Sequence, residues 1–251
     1  MGFIENIKNT FLFAPMREFI SLPESEGISC EQVFIETSDR ERLHGYFFPA
    51  KQETKKTVIY LHGNAQNVSA WYPACVEIQK YIQVNFLLVD YRGYGQSTGS
   101  PTMKGVILDA QAMYKYLIDS GFKPEDISVY GRSIGGAVAL ELAVREKVKS
   151  AVIQSSFSSI EQIAKDLYPF IPSYLAKSKH FNSQDLIRQI NIPVLISHGS
   201  HDELISINHA YGLYESANEP KKFIILKGAS HNEISPYFTE EYFEELRKLF
   251  F

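Results

Sequence analysis

Six short runs of apolar residues recur along the chain, and each run ends in a polar or glycine-containing stretch. Compact apolar runs of this length are typical of strands that are buried on both faces of a sheet. We therefore predict buried strands at residues 57–61, 86–89, 127–130, 149–153, 194–198 and 223–226.

The segments between these runs place apolar residues at helical spacing. In residues 103–118, for example, Ile107, Ala110, Tyr114 and Leu117 share one stripe. Alternation of strands with helices predicts an α/β fold with a mostly parallel sheet and helices on both faces. Further helices are predicted at residues 69–81, 209–216 and 240–250, and one directly after Ser133.

Two segments differ from this alternation. Residues 31–38 and 42–48 are rich in Val, Ile, Phe, Thr and Tyr and flank a polar turn, which predicts an initial antiparallel hairpin. Residues 155–190 exceed one helix in length, which predicts a small helical cap, the alternative being helices packed against the sheet edge. Apolar residues of this insertion are candidates for a substrate pocket: Phe157, Tyr168, Phe170 and Tyr174.

Length and composition predict one domain over residues 1–251. The net charge of −4 gives no reason to expect a nucleic-acid partner. Two cysteines, Cys30 and Cys75, suit reduced thiols in the cytoplasm.

Residues 1–14 form an amphipathic segment, for which we consider peripheral membrane contact and docking on the domain itself.

A G-x-S-x-G pentapeptide, Gly131 to Gly135, lies between a predicted strand and a predicted helix. Such a turn holds its serine in strained backbone geometry and exposes the hydroxyl. Ser133 is therefore the candidate nucleophile, with a plain glycine-rich turn as the alternative.

A serine hydroxyl needs a base, and an imidazole base needs an acid to orient it. His231 follows the last predicted strand and Asp202 follows the strand at 194–198, so the chain order is serine, acid, histidine. His180 and His201 compete for the role of base, and Glu203 competes for that of acid.

An oxyanion intermediate requires two aimed N–H donors. The backbone N–H of Ile134, next to the nucleophile, and that of Asn64, after the strand at 57–61, are the candidates. Asp90 and Arg92 are interpreted as a structural pair under the site. Arg132 has two alternatives, a substrate carboxylate or a surface acid.

These motifs together resemble the α/β-hydrolase-fold serine hydrolases, and in particular the branch of the bud-emergence-related hydrolases and the α/β-hydrolase-domain protein thioesterases. The segments that carry the resemblance are 61–65, 90–97, 130–136, 198–202 and 230–232. The resemblance implies an α/β-hydrolase fold and a triad of Ser133, Asp202 and His231.

We therefore expect a serine esterase or thioesterase that works through an acyl-enzyme on a small-molecule or acyl-bearing substrate. The chemistry requires no metal and no organic cofactor. Two alternatives stay open, a serine peptidase or amidase on the same fold and a catalytically silent binding domain. The sequence leaves the oligomeric state open and favours a cytoplasmic location; for residues 1–14, docking on the domain is favoured and membrane association is the alternative.

Overall fold

The computed structural model describes residues 12–170 and 177–251. Among these residues, eight strands form the main sheet: β1 (Glu31–Glu36), β2 (Arg42–Phe48), β3 (Thr57–Leu61), β4 (Asn85–Val89), β5 (Ile127–Arg132), β6 (Ala151–Gln154), β7 (Val194–Gly199) and β8 (Lys221–Leu226). The helices of the same residues are α1 (Val68–Gln79), α2 (Met103–Asp119), α3 (Ile134–Arg145), α4 (Ile160–Leu167), α5 (Ser183–Ile187), α6 (Ile207–Ser216) and α7 (Glu240–Phe250).

The sheet has the strand order β8-β7-β6-β5-β3-β4-β2-β1. Every neighbouring pair is parallel except β1 with β2 and β2 with β4. The hairpin register pairs Glu31 with Phe47 and Glu36 with Arg42. The predicted mostly parallel sheet with an initial antiparallel hairpin is therefore confirmed.

Neighbouring residues of the central strands enter two different cores. Ile59 and Leu61 of β3 pack in the core on one face of the sheet, whereas Val58 and Tyr60 pack in the core on the other face. Because side chains alternate across a strand, a strand covered on both faces must be apolar throughout. This explains why the sequence shows unbroken apolar runs and no alternation.

Helices cover both faces. The first core contains Ala110 of α2, Leu140 of α3 and Leu213 of α6. The second core contains Tyr72 of α1 and Leu246 of α7. The sheet is therefore the middle layer of three, and the ends of its central strands are open to a ligand.

The chain leaves β3 toward β4 on one side, while β5 lies on the other side of β3. Connections that diverge in this way leave a crevice at the carboxyl ends of the strands, where ligands bind in open α/β sheets. The loops after β3 and β5, which carry Asn64 and Ser133, therefore meet at this crevice.

The long segment between β6 and β7 contains α4 and α5. Helix α5 packs against α3 and α6, and the backbone N–H of Phe181 donates to the Glu141 carboxylate at 3.0 Å. This half of the segment belongs to the helical layer beside the sheet. A cap function for residues 155–190 stays a prediction.

The predicted amphipathic segment at 1–14 lies outside the described residues except for its last three positions. Of those, Ala14 pairs in parallel with Ala65, and the next residue, Pro15, pairs with Gln66. No helix in the described part of the chain is long and apolar enough to span a bilayer.

Candidate functional site

Ser133 forms the whole connection between β5, which ends at Arg132, and α3, which begins at Ile134. Its backbone has φ 56° and ψ −123°, a conformation that a residue with a side chain rarely adopts. The chain therefore reverses sharply at this residue, as the pentapeptide predicts.

Gly131 and Gly135 make this turn sterically feasible. A Cβ atom at Gly135 would lie 2.0 Å from the carbonyl oxygen of Leu61, at the end of β3. A Cβ atom at Gly131 would lie 2.1 Å from the carbonyl oxygen of Gly135. Both contacts involve backbone atoms that cannot move aside, so the close approach of helix and strand requires glycine.

Replacing Gly135 with alanine is expected to lower the free energy of unfolding by about 3 kcal/mol, because helix α3 must move away from β3. Urea denaturation measures this change. Gly212, also in a helix, is the matched control, since an added Cβ there meets nothing closer than the Gln184 side chain at 3.9 Å. Gly212→Ala should stabilise the fold by about 0.5–1 kcal/mol. Equal effects of the two substitutions would contradict the steric explanation.

His231 lies between the serine and the acid. Its Nε2 atom is 3.2 Å from Ser133 Oγ, and its Nδ1 atom is 2.7 Å from Asp202 Oδ2. This arrangement suits the tautomer in which Nδ1–H donates to the carboxylate and Nε2 accepts from the hydroxyl. The structure thus brings together the three residues that the strand-end pattern selected.

The carboxylate of Asp202 is buried and well supplied with donors. Its Oδ1 accepts from the backbone N–H groups of Leu204 at 3.0 Å and Ile205 at 2.8 Å. On the other side, His198 Nε2 lies 3.3 Å from Oδ2. Burial by itself raises the pKa of Asp202, but hydrogen bonds from His198, His231 and Ile205 hold that pKa well below its usual range. The carboxyl group of Asp202 is therefore ionised in the folded protein at neutral pH.

The rival candidates lie elsewhere. His201 and Glu203 are exposed to solvent. His180 Nδ1 lies 3.7 Å from the Glu141 carboxylate on α3. His198 is a site residue that the sequence motifs did not select, although its spacing of four residues from Asp202 across the strand end could have indicated their contact.

The loop after β3 lies against the serine, since a Cβ atom at Gly63 would be 3.7 Å from Ser133 Cβ. The Asn64 carbonyl is fixed by the backbone N–H of Ala14 at 2.9 Å and by the Tyr94 hydroxyl at 2.6 Å. Ile134 is the first residue of α3, so its N–H has no helical carbonyl partner. Both predicted oxyanion donors therefore belong to segments that adjoin Ser133.

A cleft of ≈ 810 Å³ opens over Ser133 and His231. Its wall combines small, apolar and polar residues, namely Gly63, Asn64, Ala65, Gln66, Ala70, Trp71, Pro73, Ala74, Glu77, Arg132, Leu204, Asn232, Ser235 and Pro236. Most of this wall comes from α1 and the loops after β3 and β8.

The residues that the sequence suggested for a pocket do not line this cleft. Phe157 is buried in the first core. Tyr168 and Phe170 are 42% and 97% exposed, and Tyr174 lies outside the described residues. An apolar residue can face a core, a ligand or solvent, and composition does not distinguish among these.

The expected Asp90–Arg92 pair does not form. Arg92 instead donates to the carboxylates of Asp109 at 2.8 Å and Asp39 at 2.8 Å, while Asp90 Oδ1 accepts from the backbone N–H of Val68 at 2.8 Å. Burial raises the pKa of Asp109 to about 6, although Arg92 opposes this shift. Asp90 therefore contacts the start of α1, whereas Arg92 contacts α2.

Among the described residues no surface acid pairs with Arg132, and its contact with a substrate carboxylate stays a prediction. Its guanidinium donates to the backbone carbonyls of His231 at 2.8 Å and Asn232 at 2.9 Å. Its Cζ atom lies 5.1 Å from the centroid of the Trp71 ring. Among the residues that the structure describes, no group of three or more His, Cys, Asp or Glu side chains is arranged to hold a metal ion.

A serine that occupies a one-residue turn between a central parallel strand and a helix, with histidine and aspartate on later strand-end loops, is the architecture of α/β hydrolases. A family model described as the alpha/beta hydrolase fold matches residues 56–177. Together with relatives that are at least 30% identical over most of their length, this match shows that the chain belongs to the α/β-hydrolase family.

Several relatives fall in the branch that the sequence motifs resemble. The protein bem46 of Schizosaccharomyces pombe is 29% identical over 249 residues, which cover 93% of this chain and 83% of that protein. The human alpha/beta hydrolase domain-containing protein 17B is 30% identical over 230 residues, which cover 90% of this chain and 76% of that protein. The predicted resemblance is therefore confirmed, and family membership supports hydrolase activity.

Solved structures share the fold. An esterase of Pyrococcus furiosus superposes with a TM-score of 0.75 at 23% identity and covers 95% of this chain, with 97% of its own chain included. An alpha-beta hydrolase of Vibrio vulnificus superposes with a TM-score of 0.76 at 20% identity, covering 98% of this chain and 90% of its own.

Proposed function

We propose that the protein is a serine hydrolase that cleaves carboxylic ester or thioester bonds through an acyl-enzyme intermediate. The observation that carries this proposal is the continuous hydrogen-bonded chain from Ser133 through His231 to Asp202, with distances of 3.2 Å and 2.7 Å. In this chain the base has its acceptor nitrogen free to take the serine proton.

In the first half of the reaction, Ser133 Oγ attacks the substrate carbonyl carbon while its proton passes to His231 Nε2. The carbonyl oxygen becomes an oxyanion, which the N–H groups of Ile134 and Asn64 stabilise. The imidazolium is stabilised by the Asp202 carboxylate at Nδ1. The bond from carbon to the leaving alcohol or thiol then breaks, and His231 returns the proton to that group.

In the second half, water replaces the leaving group. His231 Nε2 removes a proton from water, whose oxygen attacks the acyl carbon of the Ser133 ester. The second oxyanion collapses, the acid departs, and the proton returns to Ser133 Oγ. Serine, histidine and aspartate thus end in their starting states.

The lining of the cleft favours an uncharged acyl group. Among the described lining residues the carboxylate belongs to Glu77, and the single guanidinium belongs to Arg132, whose Nη2 atom donates to two backbone carbonyls. Trp71 and Leu204 contribute apolar surface to the lining. A substrate anion would find repulsion at Glu77.

The relatives agree with this proposal in class. The Pyrococcus furiosus protein that shares the fold is an esterase, and so is a domain of a Rhodothermus marinus protein with a TM-score of 0.67. Ester hydrolysis is also the less demanding reaction for a serine nucleophile, because an alcohol or thiol leaves more readily than an amine.

Labelling with a fluorophosphonate probe tests the proposal. The wild-type protein should become covalently labelled at Ser133, and Ser133→Ala should abolish labelling. Ser120→Ala is the matched control, because this serine is exposed and its hydroxyl donates to a helical carbonyl of α2. It should label like the wild type. Labelling that survives Ser133→Ala would place the nucleophile elsewhere.

A substrate panel then separates the alternatives. Nitrophenyl esters from acetate to palmitate, matched thioesters and aminoacyl amides are compared by kcat/KM. Preference for the esters or thioesters supports the proposal. Preference for the amides would identify a peptidase or amidase, and absence of both labelling and turnover would identify a silent binding domain.

A further inference from the structure

We propose that Arg132 is a positioning residue that holds the base loop, residues 227–234, in register with the serine and braces this loop against Trp71. The inference rests on the proposed function for its kinetic consequences. Its structural basis is the burial of Arg132, which is 7% exposed although it carries a full charge.

The guanidinium of Arg132 binds the base loop at His231, the proposed base. One terminal nitrogen of Arg132 donates to two successive carbonyls, those of His231 and Asn232, at 2.8 Å and 2.9 Å. Fixing these carbonyls fixes the peptide that follows the Cα atom of His231. Since Arg132 immediately precedes Ser133, the base is tied through backbone and guanidinium to the chain segment that carries the nucleophile.

Trp71 gives this tie a second anchor. The Arg132 guanidinium stacks on the Trp71 ring at 5.1 Å, a contact that also compensates the buried charge. The indole N–H of Trp71 donates to the Ala65 carbonyl at 3.0 Å, and its ring lies 2.8 Å from the Cβ position of Gly63. Arg132 and Trp71 therefore connect the base loop with the oxyanion loop, residues 63–65.

The partners of Arg132 also indicate what it does not do. The ion pairs of the described residues include no carboxylate on Arg132, and its Nη2 atom donates to carbonyls of the base loop. A neutral carbonyl pair accepts from a guanidinium without removing its charge, so its function here is geometric. The expected defect is in kcat, since a displacement of the base by about 1 Å costs on the order of 10²-fold in rate.

The kinetic test compares Arg132→Ala, Arg132→Lys and the surface control Arg247→Ala on a neutral ester and on an ester that bears a carboxylate. We expect both Arg132 variants to lose on the order of 10²-fold in kcat on both esters with KM little changed. Added guanidinium ion should restore kcat to Arg132→Ala, whereas Arg132→Lys stays slow because a single ammonium cannot reproduce the fork. Arg247→Ala should retain wild-type kinetics.

Two results would overturn the proposal. A rise in KM confined to the carboxylate-bearing ester would make Arg132 a substrate-binding residue. Unchanged kcat in both Arg132 variants, or absence of rescue by guanidinium in a folded Arg132→Ala protein, would remove the positioning role.

A spectroscopic readout separates this inference from the proposed function. The Nδ1 proton shared by His231 and Asp202 should give a strongly downfield proton resonance, assigned by its loss in His231→Gln. We expect this resonance to persist in Ser133→Ala and Arg247→Ala and to broaden or vanish in Arg132→Ala. If that pattern holds in a protein that hydrolyses no ester, the positioning role stands and the proposed function fails. A sharp, unshifted resonance in Arg132→Ala would overturn the positioning role itself.

Discussion

His231→Gln is expected to lower kcat on the preferred ester by on the order of 10⁶-fold, the loss typical of removing the base of a serine hydrolase. Glutamine cannot take the serine proton, and Ser133 Oγ is a poor nucleophile while it remains a hydroxyl. Steady-state kinetics with active-site titration measure the effect. Residual turnover above the uncatalysed rate should remain, because the proposed oxyanion donors, the N–H groups of Ile134 and Asn64, are untouched.

His201 provides the matched control for this substitution. It lies in the same strand-end region as Asp202 and is exposed to solvent. His201→Gln should retain kcat within a factor of about two, as expected for a surface change that contacts no reacting group. A larger loss in His201→Gln than in His231→Gln would assign the base to position 201.

Asp202→Asn is expected to lower kcat by on the order of 10⁴-fold through a change of tautomer. The Oδ1 atom of Asp202 accepts from the N–H groups of Leu204 and Ile205, so the asparagine oxygen should take that place. The amide nitrogen then faces His231 Nδ1 and donates to it. The imidazole proton then lies on Nε2. This nitrogen faces the serine hydroxyl and can no longer accept its proton.

Glu203 is the control for the acid, since it neighbours Asp202 and is exposed. Glu203→Gln should leave kcat within a factor of about two.

The dependence of the free energy of unfolding on pH gives a second test of Asp202. Because the folded-state pKa of Asp202 is depressed, its contribution to stability is present above the unfolded pKa and is lost as pH falls through the folded pKa. Asp202→Asn should lack this acid-side loss, and an unchanged pH profile would contradict the assignment.

The positions of the candidate triad could be predicted because each residue follows an apolar run that forms a strand of the sheet. Parallel strands bring their carboxyl ends to one edge, so Ser133, Asp202 and His231 are neighbours in space whatever the loops do in detail. The succession of strand, turn and helix depends on residues that are close in the chain, so the sequence shows it directly.

Side-chain partners across long separations could not be predicted in the same way. Arg92 pairs with Asp39 of the hairpin turn, 53 residues away, and with Asp109 of α2. A signal existed for the second pair, since Asp109 lies on the buried stripe of its helix and a buried carboxylate requires a partner. For Arg132 the sequence offered no comparable signal, because its acceptors are backbone carbonyls that every residue possesses.

The residues that line the cleft also could not be predicted from the sequence. An amphipathic segment such as 155–170 contains apolar residues whatever it covers, so Phe157 and Phe170 are alike in sequence although one is buried and the other is almost fully exposed. The wall of the cleft comes instead from α1 and from loops with small residues, such as Ala70 and Ala74. Small residues that make room for a ligand carry little signal in a sequence.

The separation of Ser133 from His231 by 98 residues has a consequence for biosynthesis. A ribosome that has released the serine and its turn still has to make β6, β7 and β8 before the imidazole of His231 can reach that hydroxyl. Under the proposed chemistry, a nascent chain therefore holds an inert alcohol while the next 98 residues are synthesised. Its reactivity toward cellular acyl groups arises only when the complete sheet has closed.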